Sequence, residues 1–312
     1  MNVAILIIAF NRPDLFAKLL AKVLSVNPTR IYISIDGPRI TKAGEKKKVE
    51  EVISIAKRIS QTHQVFLKIN SGNLGCGEGV SSAISWFFQN EEKGIILEDD
   101  CFPHDSFFKY CELLLDKYER DDRIGMISGN NFFFSRYSIS ESYFFSKYFH
   151  IWGWASWRRA WEGYQLRSSN KAEIAEIINN TFYNQNERNF WIEHIYSAFL
   201  GLMDTWDYQW VYLNFKNRRY SIMPKYNLIS NIGFGEFATH TIDMNSKMNG
   251  MDTDELKFPL LHPKEVKTNV FTEYFSRKIM FRLSFWERIF FFLFRTSYDI
   301  ITKIGLKRDE IN

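Results

Sequence analysis

The stretch KGIILEDDCFPHDSFF, residues 93–108, decides the fold. Gly94 to Leu97 form a short apolar run of the kind that a strand buried on both faces requires, and it runs straight into three carboxylates, Glu98, Asp99 and Asp100. The residues that follow, SFFKYCELLLDKYERD, read as a helix. In open α/β sheets ligands collect beyond the carboxyl ends of the strands, so a strand that exits into charge marks a candidate site. Three adjacent carboxylates also repel one another, and the fold must either solvate them or supply a cation.

Working back to the N-terminus, the same unit repeats. VAILIIAF, IYISID and VFLKIN read as strands, and PDLFAKLLAKVLS, KKVEEVISIAKRIS and GVSSAISWFFQN as the helices between them, with Leu15, Leu19, Leu20 and Val23 at helical spacing. This alternation implies βαβ units and an α/β class with a mostly parallel central sheet flanked by helices. Between about residues 130 and 235 the chain turns aromatic and polar and reads as a continuation that completes the site. Residues 236–268, with Gly250, Pro259 and Pro263, look like a mobile loop and linker. The tail from 271 to 312 mixes aromatics with eight basic and five acidic residues. It reads as interfacial helices for a membrane surface, or as a helix packing on the catalytic domain.

With 312 residues and 46% hydrophobic content, the chain can bury a full core, and its net charge of +4 gives no whole-protein field toward nucleic acid. Cys76, Cys101 and Cys111 show no CxxC spacing and suit reduced thiols in a cytoplasm. The opening MNVAILIIAFNRPD lacks a basic n-region and reads as a first strand, and no run approaches the roughly 18 apolar residues of a spanning helix. The expected location is cytoplasmic, peripheral at the inner face of the plasma membrane.

Several strings admit two readings each. Strand alternation would send Glu98 and Asp100 to one side and Asp99 to the other, so that one face holds a divalent metal and the other hydrogen-bonds a ribose; hard oxygen ligands favour Mn²⁺ or Mg²⁺. The same three residues could be a solvated acidic turn. Asp36 in ISIDGP sits at another strand exit, where Asp-Gly is also an ordinary turn. NSGNLGCGEGV, residues 70–80, carries Asn73 and Gly75 and could bring backbone N–H groups to a phosphate, yet it matches neither a Walker loop nor G-x-G-x-x-G. In HIWGWASWRRAW, Trp154, Trp157 and Trp161 would share a helical face, the usual mark of core, while a tryptophan bordering a cleft can serve as an apolar platform for a sugar. Asp204 and Asp207 in MDTWDYQW are either a capping pair at a helix start or a source of general base. His240 in FATHT is a lone loop histidine that could be a metal or pyrophosphate ligand.

Taken in order, AFNRP, SIDG, NLGCGEGVSSAISWFF, GIILEDDCFPHDSFFKYC, IWGWASWRRAW, TWDYQW and NLISNIGFGEFATHT resemble a bacterial family of GT-A-fold nucleotide-sugar glycosyltransferases. More distantly they are similar to the eukaryotic N-acetylglucosaminyltransferases that start hybrid N-glycan branches. The resemblance covers roughly residues 1–245, which it implies are a GT-A catalytic domain, leaving 246–312 as linker and aromatic, basic tail. It implies that Arg12, Asp36, Asn73, Gly75, Glu98 and Asp99 hold a nucleotide-sugar donor, with UDP as the expected nucleotide. Asp100 and His240 would ligate Mn²⁺ (or Mg²⁺), Trp152 and Trp154 would border the acceptor, and Asp207 would act as base in an inverting transfer. The implied acceptor is a glycan or a lipid-linked hydroxyl in surface-polysaccharide or glycolipid synthesis. Tyr208 departs from the eukaryotic relatives, which carry a second acid there. Two alternatives stay open: a GT-A-like sugar nucleotidyltransferase, which would normally show a glycine-rich N-terminal loop where this chain has AFNRPD, and a catalytically silent membrane-associated binding protein.

Overall fold

A computed structural model describes residues 1–133, 139–233 and 250–280. The N-terminal half is built as its periodicity implies. Strand β1 (Ala4–Ala9) leads to α1 (Pro13–Ser25), β2 (Ile31–Ile35), α2 (Glu45–Ile59), β3 (Val65–Ile69), α3 (Gly75–Asn90) and β4 (Lys93–Glu98). Pro13 opens α1 because its fixed φ suits a first helical turn and its missing N–H would have had no partner there. β4 ends at Glu98, so Asp99 and Asp100 lie in the turn beyond it. The short β5 (Cys101–Pro103) and α4 (Asp105–Lys117) follow, the helix capped by His104, whose ring nitrogen accepts from the Ser106 N–H.

The second half adds more sheet than its sequence suggests. It contributes β6 (Ile124–Ser128), β7 (Tyr143–Ser146), β8 (Trp154–Trp157), α5 (Arg158–Trp161), α6 (Lys171–Thr181), α7 (Gln185–Phe199), α8 (Asp207–Lys216), β9 (Tyr220–Pro224) and β10 (Ile229–Asn231). The main sheet has eight strands in the order β3-β2-β1-β4-β8-β6-β9-β7. Its first four strands are mutually parallel, β8 runs antiparallel between β4 and β6, and β7 is antiparallel to β9, so the sheet is mixed. The α/β class expected from the sequence is the one observed. β10 pairs with β5 in a separate two-stranded sheet, with Asn231 opposite Cys101.

Alternate residues of each central strand serve opposite faces, and helices cover both. Ile5, Ile7, Ile95 and Leu97 pack with Phe16, Val49, Val52 and Leu114 of α1, α2 and α4. Leu6 and Ile96 pack with Ile84 and Phe87 of α3 and with Trp154 and Trp210. Two-sided burial explains why these strands read as continuous apolar runs and not as alternating ones.

Two expectations are corrected here. Trp154 to Trp157 form a strand and not a helical face; Trp154 is 1% exposed and stacks on Trp206 at 5.8 Å and against Trp210 at 5.5 Å. The segment expected to be a linker is, over residues 250–268, laid across the fold. Leu256 and Leu260 enter the core, the Leu256 N–H donates to Ser106 Oγ and the Ser142 N–H donates to the Leu261 carbonyl. The tail begins as α9 (Val270–Met280), which packs on β7, with Phe275 against Phe133 and Phe144. The interfacial helices are expected over 271–312; the remainder of that tail, 281–312, lies outside the described residues. Among those residues no helix is long and apolar enough to cross a membrane.

Candidate active site

The exits of β1, β2, β3 and β4 meet the start of α8 around one cavity of about 730 Å³. Arg12, Asp36, Asn73, Gly75, Glu98, Asp99, Asp100, Trp152 and Asp207 all line it. Trp154 does not: it is closed off in the core behind Trp206, so its expected place at the acceptor is not the one observed. His240 lies outside the described residues.

The carboxylates at the head of the cavity are provided with an internal cation. Arg12, in the turn after β1, places one guanidinium nitrogen 2.5 Å from Asp99 Oδ1 and another 3.0 Å from Asp100 Oδ2. The Phe10 N–H also donates to Asp99. Asp99 and Asp100 thus both turn toward Arg12, and the strict strand alternation expected of the triad stops where β4 stops. One guanidinium against three carboxylates leaves the cluster negative. The Glu98 carboxyl is held well above the usual carboxylate range, by burial first and then by the charges of Asp100 and Asp99. Asp99 is raised as well, again by burial first, with Arg12 opposing.

Asp36 organises the loop beside it. Its two oxygens accept from the side-chain amides of Asn70 and Asn73 at 3.0 and 2.8 Å, from the Leu74 N–H at 3.1 Å and from its own neighbour Gly37 at 3.0 Å. A carboxylate offers about four lone-pair sites, so Asp36 is nearly saturated by the protein, and the Asn73 amide is turned toward it. The glycine-rich stretch is corrected in a similar sense. The N–H groups at the start of α3, which a phosphate could have used, are taken by Asp204: Cys76 N and Gly77 N donate to its two oxygens at 2.9 and 2.8 Å. Asp204 is therefore a cap, but on a helix 127 residues away and not on the one it precedes.

Asp207 is the first residue of α8. Its Oδ1 accepts from the Tyr208 N–H at 2.8 Å and from the Thr205 hydroxyl. Trp206 beside it is buried, its carbonyl accepting from the Tyr164 hydroxyl at 2.9 Å. Tyr208 also lines the cavity, and burial followed by the Asp207 charge pushes its hydroxyl up to about 12, keeping it a neutral donor. Arg39 is a lining residue that sequence reasoning missed. It is paired with Glu45, which also accepts from the Asn11 amide at 2.9 Å, and its guanidinium lies 5.4 Å from the Phe10 ring centroid. The signal was faint: an arginine three residues after Asp36 in a loop without periodicity. Ile151, Met203 and Asn231 complete the walls, and nothing in their local sequence distinguishes them.

No protein-family model matches the chain, and no curated protein matches it. Among solved structures it is similar to S. aureus TarS residues 1–349, at 10% identity and a TM-score of 0.41, over 72% of this chain and 58% of that one. It is also similar to UDP-glucose pyrophosphorylase complexed with UDP-glucose, at 10% identity and a TM-score of 0.35, over 74% and 93%. A third is HddC from Yersinia pseudotuberculosis, at 18% identity and a TM-score of 0.27, over 36% and 55%. The chain thus spans little more than half the length of the TarS and HddC structures.

Proposed function

We propose that the chain is a metal-dependent glycosyltransferase that moves a sugar from a nucleoside diphosphate, UDP in our reading, to an acceptor hydroxyl with inversion. The observation that carries this reading is the cavity itself. It gathers a negative cluster with its arginine at the exits of parallel strands, and the carboxylate of Asp207, more than a hundred residues later in the chain, in one enclosure of about 730 Å³. That volume falls in the range of small-ligand sites.

The donor set suits a hard divalent cation. Among the described residues no three His, Cys, Asp or Glu side chains converge as a preformed cage. Mg²⁺-type sites commonly use only one or two carboxylates, with phosphate oxygens completing the shell, and the excess negative charge of the cluster leaves room for one more positive ion. Asp100 would hold it, with Glu98 next to it. Such a cation, when bound, neutralises the diphosphate and makes it a better leaving group.

The chain's own residues do the rest. Arg12 keeps Asp99 and Asp100 in fixed positions, Asp36 holds the Asn70 to Leu74 loop against the nucleotide side of the cavity, and Trp152 borders the acceptor side. In a single displacement the acceptor oxygen attacks the anomeric carbon from the face opposite the leaving diphosphate, so its proton must pass to a group away from the acid cluster's cation. Asp207 takes that role as general base. The acceptor is a glycan or lipid-linked hydroxyl.

The test is a screen of UDP-, GDP- and dTDP-sugars with and without Mn²⁺, following release of free nucleoside diphosphate, paired with calorimetry of UDP binding. Mn²⁺-dependent release from one donor is expected. A chain that neither binds UDP in the presence of Mn²⁺ nor turns over any of the donors overturns the reading.

A further inference from the structure

Asp204 lines the cavity but has no part in the chemistry above. Its surroundings are nonetheless built for it. Gly75 has a φ of +82°, and a β-carbon there would lie 2.6 Å from an Asp204 carboxylate oxygen. At Gly77 a β-carbon would lie 3.1 Å from the other oxygen and 3.0 Å from the Thr205 carbonyl. Two glycines separated by Cys76 thus open the room that lets a carboxylate sit down on the first turn of α3, where the N–H groups without an intrahelical partner and the helix dipole favour an anion. The turn pressed there continues directly into the base. Thr205, whose backbone lies against Gly77, donates its hydroxyl to Asp207 Oδ1. On the far side of the glycines, the Leu74 N–H and the Asn73 amide are held by Asp36.

We propose that Asp204 is a positioning residue, a clasp that fixes the 203–207 turn onto the donor-side loop and thereby sets where Asp207 stands relative to the bound donor. The chain of contacts runs from Asp36 through Asn73 and Leu74 to the α3 N-terminus, across Asp204 to Thr205, and so to the base. It couples the loop that meets the nucleotide to the residue that takes the proton. The inference rests on the glycosyl-transfer reading only for its kinetic consequence; the clasp itself is a statement about structure.

The test uses the full chain and two variants that attack the clasp from opposite sides. Asp204→Ala removes the carboxylate. Gly77→Ala, at a position that does not line the cavity, places a methyl against it while improving the intrinsic helix propensity of α3. In amide hydrogen exchange both variants should speed exchange at Cys76 and Gly77 by at least about tenfold and, with them, exchange over residues 205–208, while β1 and α4 keep their protection. In the transfer assay both should lower kcat by roughly 10- to 100-fold, as expected for a displaced reacting group, with the donor KM within about threefold of native. Faster exchange confined to α3, with native exchange at 205–208 and native kcat, would make Asp204 a helix cap and nothing more, and overturns the proposal. Unchanged exchange at both places overturns it as well. If the unmodified chain transfers no sugar, the glycosyl-transfer reading fails, and joint or separate loosening of the two segments still decides the clasp.

Discussion

Removing the Arg12 guanidinium while keeping its stem, as Arg12→Met does, exposes how the acid cluster is held. Asp99 has a side chain only 2% exposed, and Arg12 stands 2.5 Å from it with 18% exposure, so the pair is largely out of water. Two charges whose centres are about 4 Å apart attract by roughly 4 kcal/mol at the effective dielectric found near protein surfaces. Deleting one member of a buried pair typically costs about 3 to 5 kcal/mol, because the other charge is left without compensation. The two estimates agree, and either is a large share of the roughly 5 to 15 kcal/mol that holds a domain folded. For a chain of 312 residues that corresponds to a fall in Tm of roughly 5 to 8 °C. The assay is urea and thermal denaturation of the wild type, Arg12→Met, Asp99→Asn and the double variant. The double variant should be less destabilised than the sum of the singles, with a coupling of about 2 kcal/mol or more, because it no longer buries Asp99 as an unpaired charge and leaves only the more exposed Asp100 without its arginine. A loss below about 1 kcal/mol in Arg12→Met, the range of an exposed surface pair, would refute the view that this arginine is the internal counter-charge of the cluster.

Asp207→Asn should keep the hydrogen bond from the Tyr208 N–H and the donor KM yet lower turnover by roughly 10² to 10⁴; a near-native rate in a variant with a lowered Tm would make Asp207 a helix-start acid only. Asp100→Ala should abolish Mn²⁺-dependent donor binding in calorimetry, with Glu98→Gln weakening it less, and unchanged metal dependence in Asp100→Ala would remove that residue from the metal. Glu273 on α9 takes the Lys147 N–H, with Glu187 nearby, and burial pushes its carboxyl from the ordinary 4.5 up to about 7. Between those values only the folded chain holds the proton, so the stabilisation is complete below pH 4.5 and is lost as pH rises through 7. Glu273→Gln should therefore raise Tm by a few degrees at pH 8, about 1 to 3 kcal/mol, and leave it nearly unchanged at pH 4.5; an equal effect at both pH values would contradict this account.

The sequence by itself determined the N-terminal half. The strands β1, β2 and β4, and the helices α1 to α4 between and after them, are legible because their signals are local. Continuous Ile, Leu and Val runs match burial on two faces, 3.6-residue spacing gives α1 its buried stripe of Phe16, Leu19, Leu20 and Val23, and Pro13 marks a helix start. The site's location was legible for the same reason, since strand exits can be read once strands can. Only the tertiary structure decided the rest, and in each case the deciding partner lies far along the chain. Trp154 and Trp157 have a spacing that a helix would accept, but the open edge of β4 takes Lys93 to Ile96 into antiparallel pairing with this segment, and the backbone hydrogen bonds of a sheet override the pattern. Nothing in the local sequence tells that Arg12 meets the acid cluster; laying β1 and β4 side by side brings Asp99 and Asp100 to it across 87 and 88 residues. The three-residue spacing of Asp204 and Asp207 suggested a shared role at one helix start, yet the two, both at the cavity wall, were divided by what each can reach: Asp204 found the N–H groups of α3, and Asp207 stayed with the Tyr208 N–H at the start of α8. Spacing describes neighbours along the chain, whereas a carboxylate goes to the nearest unsatisfied donor in space, and only the packed fold settles which donor that is.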